Sequence, residues 1–274
     1  MARAASALVI GNRPDTRRDW FADLARHGEV LWILARKDFQ TRYKRAALGV
    51  IWAVAVPVLQ AAIMAVVFSR VIKTGGGHGF GIYVMSGILP YAYFSLVLNS
   101  GVTSIVDGSS LTDKVWFPRV ILAIVPALSS LVGLLVGLVV MIAFMPVLGV
   151  PYRINLLLLI PGVLLLVAWT TSLVFLLSAL HVYFRDVKFL VQAALLVWLY
   201  ITPVVYPIGL LKKLQPIAEA NPLTGAVAVF HIATVGSRGA WLVPLIVCLG
   251  TTLVLAVLGS EVQRRHDRLF VDLL

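Results

Sequence analysis

The chain has 274 residues, of which 60% are hydrophobic and 13% charged, with a mean hydropathy of +0.96. That lies well above the roughly 45–50% apolar content of soluble domains and excludes a water-soluble globule. A formal net charge of +11 would suggest nucleic acid in a soluble protein. Here it reads as membrane topology and attraction to anionic lipid, because Lys and Arg collect on cytoplasmic loops.

Taken in order, residues 1–45 form a cytoplasmic segment. Its stretch TRRDWFADLARHGEVLWILARKDFQTRYKRAALG predicts an amphipathic helix on the membrane surface. Thr16 and Asp19 have capping-box spacing, Trp20, Leu24, Leu31 and Leu34 share one face, and Arg17, Arg18, Arg26 and Arg36 take the others. Six uncharged windows follow, 46–69, 74–106, 120–152, 154–184, 189–211 and 239–260, each long enough for the ~20 residues a helical crossing needs. The fold class is therefore all-α and polytopic, with six transmembrane helices in a domain over 46–260 and a cytoplasmic tail over 261–274. The third window carries small residues, Ser129, Ser130, Gly133 and Gly137, that suit close helix packing.

Segment 220–237 is also uncharged, but it contains Asn221, Pro222 and His231 and reads as re-entrant. With six spans and both termini inside, 17 Lys and Arg face the cytoplasm and 6 face out; a seventh crossing changes this to 15 against 8. Prolines 203, 207, 216 and 222 exclude one long straight fifth helix. The chain is expected to break near Pro203 to Pro207, dip back over 207–238 as two short re-entrant helices on the outer side, and cross again. Loops 107–119 and 181–189 face the cytoplasm.

Reactive groups are scarce. GGGHGFG (75–81) lacks the lysine of a phosphate loop, the five histidines are scattered, and the one cysteine, Cys248, lies in an apolar run. All carboxylates fall outside the six windows, so no intramembrane acid is available to couple protons. The chain is read as no enzyme, with no metal site, and its energy must come from elsewhere.

Five stretches together, RKDFQTRYKRAALGVIWAVAVPVLQ (36–60), LPYAYFS (89–95), LTDKVWFPRVILAIVPALSSLV (111–132), HVYFRDVKFLVQAALLVWLYITPVVYPI (181–208) and NPLTGAVAVFH (221–231), resemble the membrane subunit of ABC-type polysaccharide exporters. These permeases export O-antigen, capsule, teichoic acid or cell-wall glycan. The resemblance implies a homodimer in the cytoplasmic (inner) membrane, bound to two copies of a separately encoded ATPase that holds ATP and Mg; no cofactor belongs to this chain. It also implies the surface helix, a coupling helix between spans two and three, and re-entrant gate helices between spans five and six.

On that reading Leu111, Val115, Trp116 and Phe117 plug into an ATPase groove, Asp113, Lys114 and Arg119 set register, and Pro118 stops the short helix. Tyr183, Arg185 and Asp186 make a second contact. Tyr91, Tyr93, Phe94, Trp198, Tyr200 and Tyr206 are candidates to line a sugar conduit, since aromatic faces stack on sugars. Arg36, Arg42, Lys44 and Arg45 are candidates for a lipid-pyrophosphate end. The partners are thus membrane lipid and a lipid-linked glycan, with no nucleic acid. Alternatives are a drug or small-lipid exporter permease, a membrane-embedded glycosyltransferase or polymerase, and a passive channel.

Overall fold

A computed structural model describes residues 23–44, 49–67, 79–112, 117–237 and 239–266. Helices alone make up its regular structure, with no strand among the described residues. The chain begins with α1 (Gly28–Tyr43), passes a 3-10 turn at Gly49–Ile51, and continues as α2 (Trp52–Val66) and α3 (Phe80–Asp107). A four-residue α4 (Ser109–Thr112) precedes α5 (Val120–Phe144), and a 3-10 turn at Ile154–Leu158 leads into α6 (Leu159–Tyr183). Then come α7 (Val187–Ile201), a 3-10 stretch at Ile208–Leu214, α8 (Gln215–Ala220), α9 (Pro222–Val235) and α10 (Leu242–His266).

Among the described residues, four helical stretches are long and apolar enough to cross a membrane: Phe80–Asp107, Val120–Phe144, Ile154–Tyr183 and Leu242–Arg265. They coincide with four of the six uncharged windows. The fifth window behaves differently. Its helix α7 has 15 residues, about 22 Å at 1.5 Å each, less than the ~30 Å of a hydrocarbon core. In the first window α2 also has 15 residues, with Pro57 inside it.

The core is organised around α3, which touches α2, α5, α6, α7 and α9. Of its most apolar stretch 72% is buried, against 17% for α10, so α3 is the internal post and α10 an outer stave. Phe94 on α3, Trp169 on α6 and Trp198 on α7 form a three-ring cluster with centroids 5.2, 5.2 and 5.9 Å apart. Such tilted and edge-on arrangements suit aromatic quadrupoles and fix three helices at once.

Polar side chains on these apolar helices find partners close by, as they must where no water can solvate them. Ser172 donates to Ala168 O at 2.7 Å and Thr252 to Cys248 O at 2.6 Å, each one turn back on its own helix. Cys248 is buried and free. Between helices, Gln263 on α10 donates to Phe175 O at 2.8 Å and to Ser178 Oγ at 3.1 Å, both on α6.

By contrast α7 is poorly covered. Val187, Val191 and Leu195, four residues apart, turn inward, while Phe189, Leu196 and Tyr200 are 59%, 72% and 74% exposed. On α2, Trp52, Val56, Leu59 and Ile63 make a similar exposed apolar stripe at helical spacing. In a membrane both faces meet lipid tails or another subunit.

Candidate functional site

The polar turns gather at one end of the bundle. Ile105 near the end of α3, Ala179 and Val182 near the end of α6, and Val262 near the end of α10 pack into one cluster. The turn between α3 and α5 and the turn between α6 and α7 therefore sit side by side. Asp107 closes α3, and Gly108 N–H bonds back to Ser104 O at 3.0 Å. The short helix α4 follows and includes Leu111. Asp113, Lys114, Val115 and Trp116, the centre of the expected coupling window, lie outside the described residues.

Where the chain is described again, Phe117 is buried, at 6% exposure, and Arg119 at 7%. Pro118 lies two residues ahead of α5, and its carbonyl accepts from Ile121 N–H at 3.0 Å. Phe117, Ile121, Leu122 and Val125 form a small second core, onto which Leu24, Val30, Leu31, Leu34 and Leu111 pack. The apolar face expected for the surface helix is thus laid along the base of α5, and Phe117 supports the window from within the subunit. The Thr16, Arg17, Arg18, Asp19 and Trp20 part of that helix lies outside the described residues.

A polar clamp adds direction to this contact. Arg42 pairs with Asp38 one turn earlier at 2.8 Å and donates to Ser130 Oγ on α5 at 3.1 Å. Ser129 Oγ donates to Asp38 Oδ2 at 2.5 Å. Ser129 and Ser130, read from sequence as packing residues, are hydrogen-bond partners of α1. Of the candidate pyrophosphate cations, Arg42 is engaged in this clamp, Arg36 and Lys44 are exposed, and Arg45 lies outside the described residues. Next to the clamp, burial pushes the Tyr43 phenol above its ordinary pKa while Arg42 partly offsets it, so the ring stays neutral at physiological pH.

Asp38→Ala should expose the α1 backbone to trypsin in membrane-embedded protein, with cleavage within 36–44 several-fold faster. Asp38→Asn, which still accepts from Ser129, should restore much of the protection. Equal cleavage rates in all three proteins would mean that the apolar face alone holds α1.

The α6–α7 turn is only Phe184 to Asp186 long, with Tyr183, Phe184, Arg185 and Asp186 all exposed. Asp186 precedes α7 without a side-chain cap, and no ion pair joins Arg185 to Asp186 among the described residues. Both charges are open to a partner.

At the other end of the bundle the chain breaks where the prolines predicted. Helix α7 stops at Ile201, Thr202 to Pro207 is non-helical, and two short helices, α8 and α9, follow. Asn221 holds the corner. Its Oδ1 caps α9 through Leu223 N–H at 3.2 Å and accepts Trp198 Nε1–H at 2.9 Å, while its Nδ2 donates to Thr202 Oγ1 at 2.8 Å. A second set of bonds pins the turn to α3. His231 stacks on Tyr83 at 3.9 Å, and its nitrogens lie 2.9 Å from Ser86 Oγ and 3.3 Å from Pro203 O. Tyr83 donates to Tyr206 O at 3.0 Å.

Most of the aromatic residues expected to line a conduit are placed inside the subunit. Tyr91 is buried and donates to Leu195 O, Tyr93 is buried and donates to Ala127 O at 3.1 Å, and Phe94 and Trp198 belong to the three-ring cluster. Tyr206 is half-buried and donates to Tyr200 O. Tyr200 alone of the six presents an exposed ring. His231, Ser86 and Asn221 carry the hairpin's polar bonds and were not marked by any spacing pattern. Among the described residues no cluster of three His, Cys, Asp or Glu could hold a metal.

Four long apolar helices, with no strand among the described residues, make this an all-helical, multi-pass membrane protein. Residues 29–235 match the family of ABC-2 type transporters, and the chain belongs to that family. It is 27% identical over 194 residues to the O-antigen export system permease protein RfbA of Myxococcus xanthus, covering 69% of this chain and 73% of that protein. Two RfbA permeases from Klebsiella pneumoniae are 25% and 24% identical over 201 residues, each match covering 73% of this chain and 77% of the relative.

Proposed function

We propose that this chain is the permease subunit of an ATP-driven exporter that moves a lipid-linked polysaccharide across the cytoplasmic membrane. The observation that carries this reading is the match to O-antigen export permeases over about three quarters of each chain. Membership of the ABC-2 family implies a separate ATPase partner. The working unit is then a homodimer with two ATPase subunits, because one small bundle with a packed core offers a polymer no path and a two-fold axis does.

In this reading α2 and α7 supply the two further crossings, giving six, with both termini cytoplasmic and 207–238 re-entrant. Their uncovered apolar faces support a location beside the second subunit, where Tyr200 would meet the cargo. Tyr91, Tyr93, Phe94, Trp198 and Tyr206 then set the position of that wall from behind. The turns 107–119 and 181–189 receive the ATPase stroke. Leu111, Asp113, Lys114, Val115 and Trp116 form the first contact, backed by Phe117, Pro118 and Arg119; Tyr183, Arg185 and Asp186 form the second. ATP and Mg stay on the partner. Arg36, Lys44 and Arg45 are left to meet the anionic end of the cargo, with Arg42 anchoring their helix.

The test is co-reconstitution with the ATPase of the neighbouring reading frame and measurement of ATP-dependent movement of a lipid-linked glycan into proteoliposomes. Lys114→Glu with Arg185→Glu should cut both ATPase copurification and flux at least tenfold. ATP hydrolysis with no glycan movement, or a monomer in native membranes, would overturn the proposal.

A further inference from the structure

On one flank of α7, between it and α8, runs an open groove of about 780 Å³. Ala194, Val197, Trp198 and Ile201, at the i, i+3, i+4 and i+7 spacing of a single helical face, form one wall. Ile217 and Ala220 of α8 form the other, and the Asn221–Pro222 corner closes the end. Val197 and Ile217 are 58% and 56% exposed, so the apolar surface continues out to the rim. At about 100° per residue, the Phe189, Leu196 and Tyr200 face of α7 lies roughly 110–150° round the helix from this wall. The groove is therefore separate from the surface that meets the second subunit and the cargo in the proposed exporter.

The polar atoms bordering the groove are already engaged: Trp198 Nε1–H bonds to Asn221 Oδ1 at 2.9 Å, and Asn221 Nδ2–H to Thr202 Oγ1 at 2.8 Å. A sugar would leave most of its hydroxyls unpaired against these walls, whereas a hydrocarbon chain has none to lose. Charge stands at one end. Across 187–222 the charged side chains are Lys188 at the far end of α7, Glu219, and the pair Lys212 and Lys213 just ahead of α8. Glu219 accepts from Gln215 Nε2–H at 2.7 Å, while both lysines are exposed and make no ion pair among the described residues. The chain also kinks at Lys212, with φ 43° and ψ −104°, a backbone conformation that side-chain-bearing residues seldom adopt. Strain of this kind persists where the surroundings hold it, and it points to a position kept for use. In a bilayer the two ammonium groups stay at headgroup depth. The α7 wall, running about 10 Å from Ile201 back to Ala194, then lies in the hydrocarbon beneath them.

We propose that the groove and the Lys212–Lys213 pair are one binding site for an anionic phospholipid of the bilayer, with an acyl chain between α7 and α8 and the phosphate against the two ammonium groups. Helix α8 packs mainly on α9, α10 and the 3-10 stretch before it, which leaves its side toward α7 uncovered. The lipid chain fills that side and fastens α8 to α7. Binding there requires only a bilayer and does not rest on the transport reading.

The experiment uses the full chain in phosphatidylcholine nanodiscs doped with phosphatidylglycerol that carries a diazirine in one acyl chain. After irradiation, adducts should concentrate in 194–201 and 216–222. The same label on phosphatidylcholine should mark these segments at least about fivefold less, while both labels mark the exposed α10 face at Leu249 and Leu253 equally. Lys212→Gln and Lys213→Gln should each lower phosphatidylglycerol labelling of the groove about fivefold, the share of one lysine beside an anionic headgroup. Ala194→Phe should fill the groove and abolish adducts there for both lipids, and Ala220→Leu serves if that variant fails to fold.

No adducts in the two segments, or undiminished adducts in the filled variant, overturn the site. Equal labelling by the two lipids, or labelling unchanged in both lysine variants, overturns the role of the phosphate. Displacement of the label by a polyprenyl pyrophosphate at lower concentration than by unlabelled phosphatidylglycerol would make the groove a seat for the cargo's anchor, and cross-links between two copies through these segments would make it a subunit contact. Either result overturns the phospholipid.

Discussion

Replacing Gly87 by alanine is expected to lift the Thr202 to Pro207 turn off α3 and to be among the most damaging single substitutions outside the charged turns. A Cβ at Gly87 would stand 2.1 Å from Val204 O, 2.9 Å from its carbonyl carbon and 3.1 Å from His231 Cε1. Two of those atoms are backbone, so no rotamer change relieves the clash. The turn itself must move, and the His231 bonds to Ser86 and Pro203 stretch with it. Overpacking of this kind costs roughly 1–3 kcal/mol and occasionally more, and the backbone neighbours place it at the upper end.

The measurement is the thermal midpoint in nanodiscs, with Gly250→Ala as control. A Cβ there meets nothing within 4 Å, and an alanine inside α10 should stabilise by roughly 0.5–1 kcal/mol. A Gly87→Ala protein that unfolds at the wild-type temperature would mean that the turn is not seated on α3 as described.

This close seat shows what a sequence can and cannot reveal. The break after α7 was legible, because Pro203 and Pro207 lack the N–H that a continuing helix requires. Four spans were legible from charge punctuation: α3 and α6 end within one residue of the windows that predict them, at Asp107 and Tyr183, whereas α5 starts with its window at Val120 but stops at Phe144, eight residues short of 152. Helix α10 instead runs on past Glu261 to His266, carried by Glu261's pairs with Arg264 and Arg265 at 2.9 and 2.5 Å. Charge marks where a helix leaves lipid, not where it ends.

The candidate site was less legible. The aromatic content of α3 and α7 was plain, but periodicity does not say which neighbour a ring faces, and Tyr91, Tyr93 and Phe94 turned out to face their own subunit. The bonds that matter most join residues far apart in sequence: Asp38 and Ser129 are 91 residues apart and Ser86 and His231 145. No local pattern signals them. A physical signal did exist for Ser86, Ser129 and His231, since each is a polar side chain on an otherwise apolar helix and had to be partnered; Asp38, on the charged α1, carries no such mark.

Asn221→Ala should be the most destabilising loss of a polar side chain, because one amide serves three groups. It caps α9, accepts Trp198 Nε1–H and donates to Thr202, and both Asn221 and Thr202 are buried. Loss of an N-cap costs about 1 kcal/mol, and each buried polar group left unsatisfied costs roughly 1–3 kcal/mol more. A total of about 3 kcal/mol is expected, less if water enters beside Trp198. Graded substitutions separate the parts. Asn221→Asp keeps the cap and the acceptor for Trp198, and the Thr202 hydroxyl can turn from acceptor to donor towards the carboxylate, so what stability it loses reports the cost of the buried charge. Asn221→Ser keeps the cap alone and should fall between wild type and alanine.

The readout that distinguishes this corner from general packing is the fluorescence of Trp198, isolated by replacing the other six tryptophans, Trp20, Trp32, Trp52, Trp116, Trp169 and Trp241, with phenylalanine. Breaking its hydrogen bond should shift its emission to the blue in Asn221→Ala and not in Asn221→Asp. An unshifted spectrum together with wild-type stability would mean that the Trp198–Asn221–Thr202 chain does not hold the end of α7 to the start of α9, and with it would go the physical reason for the hairpin's position.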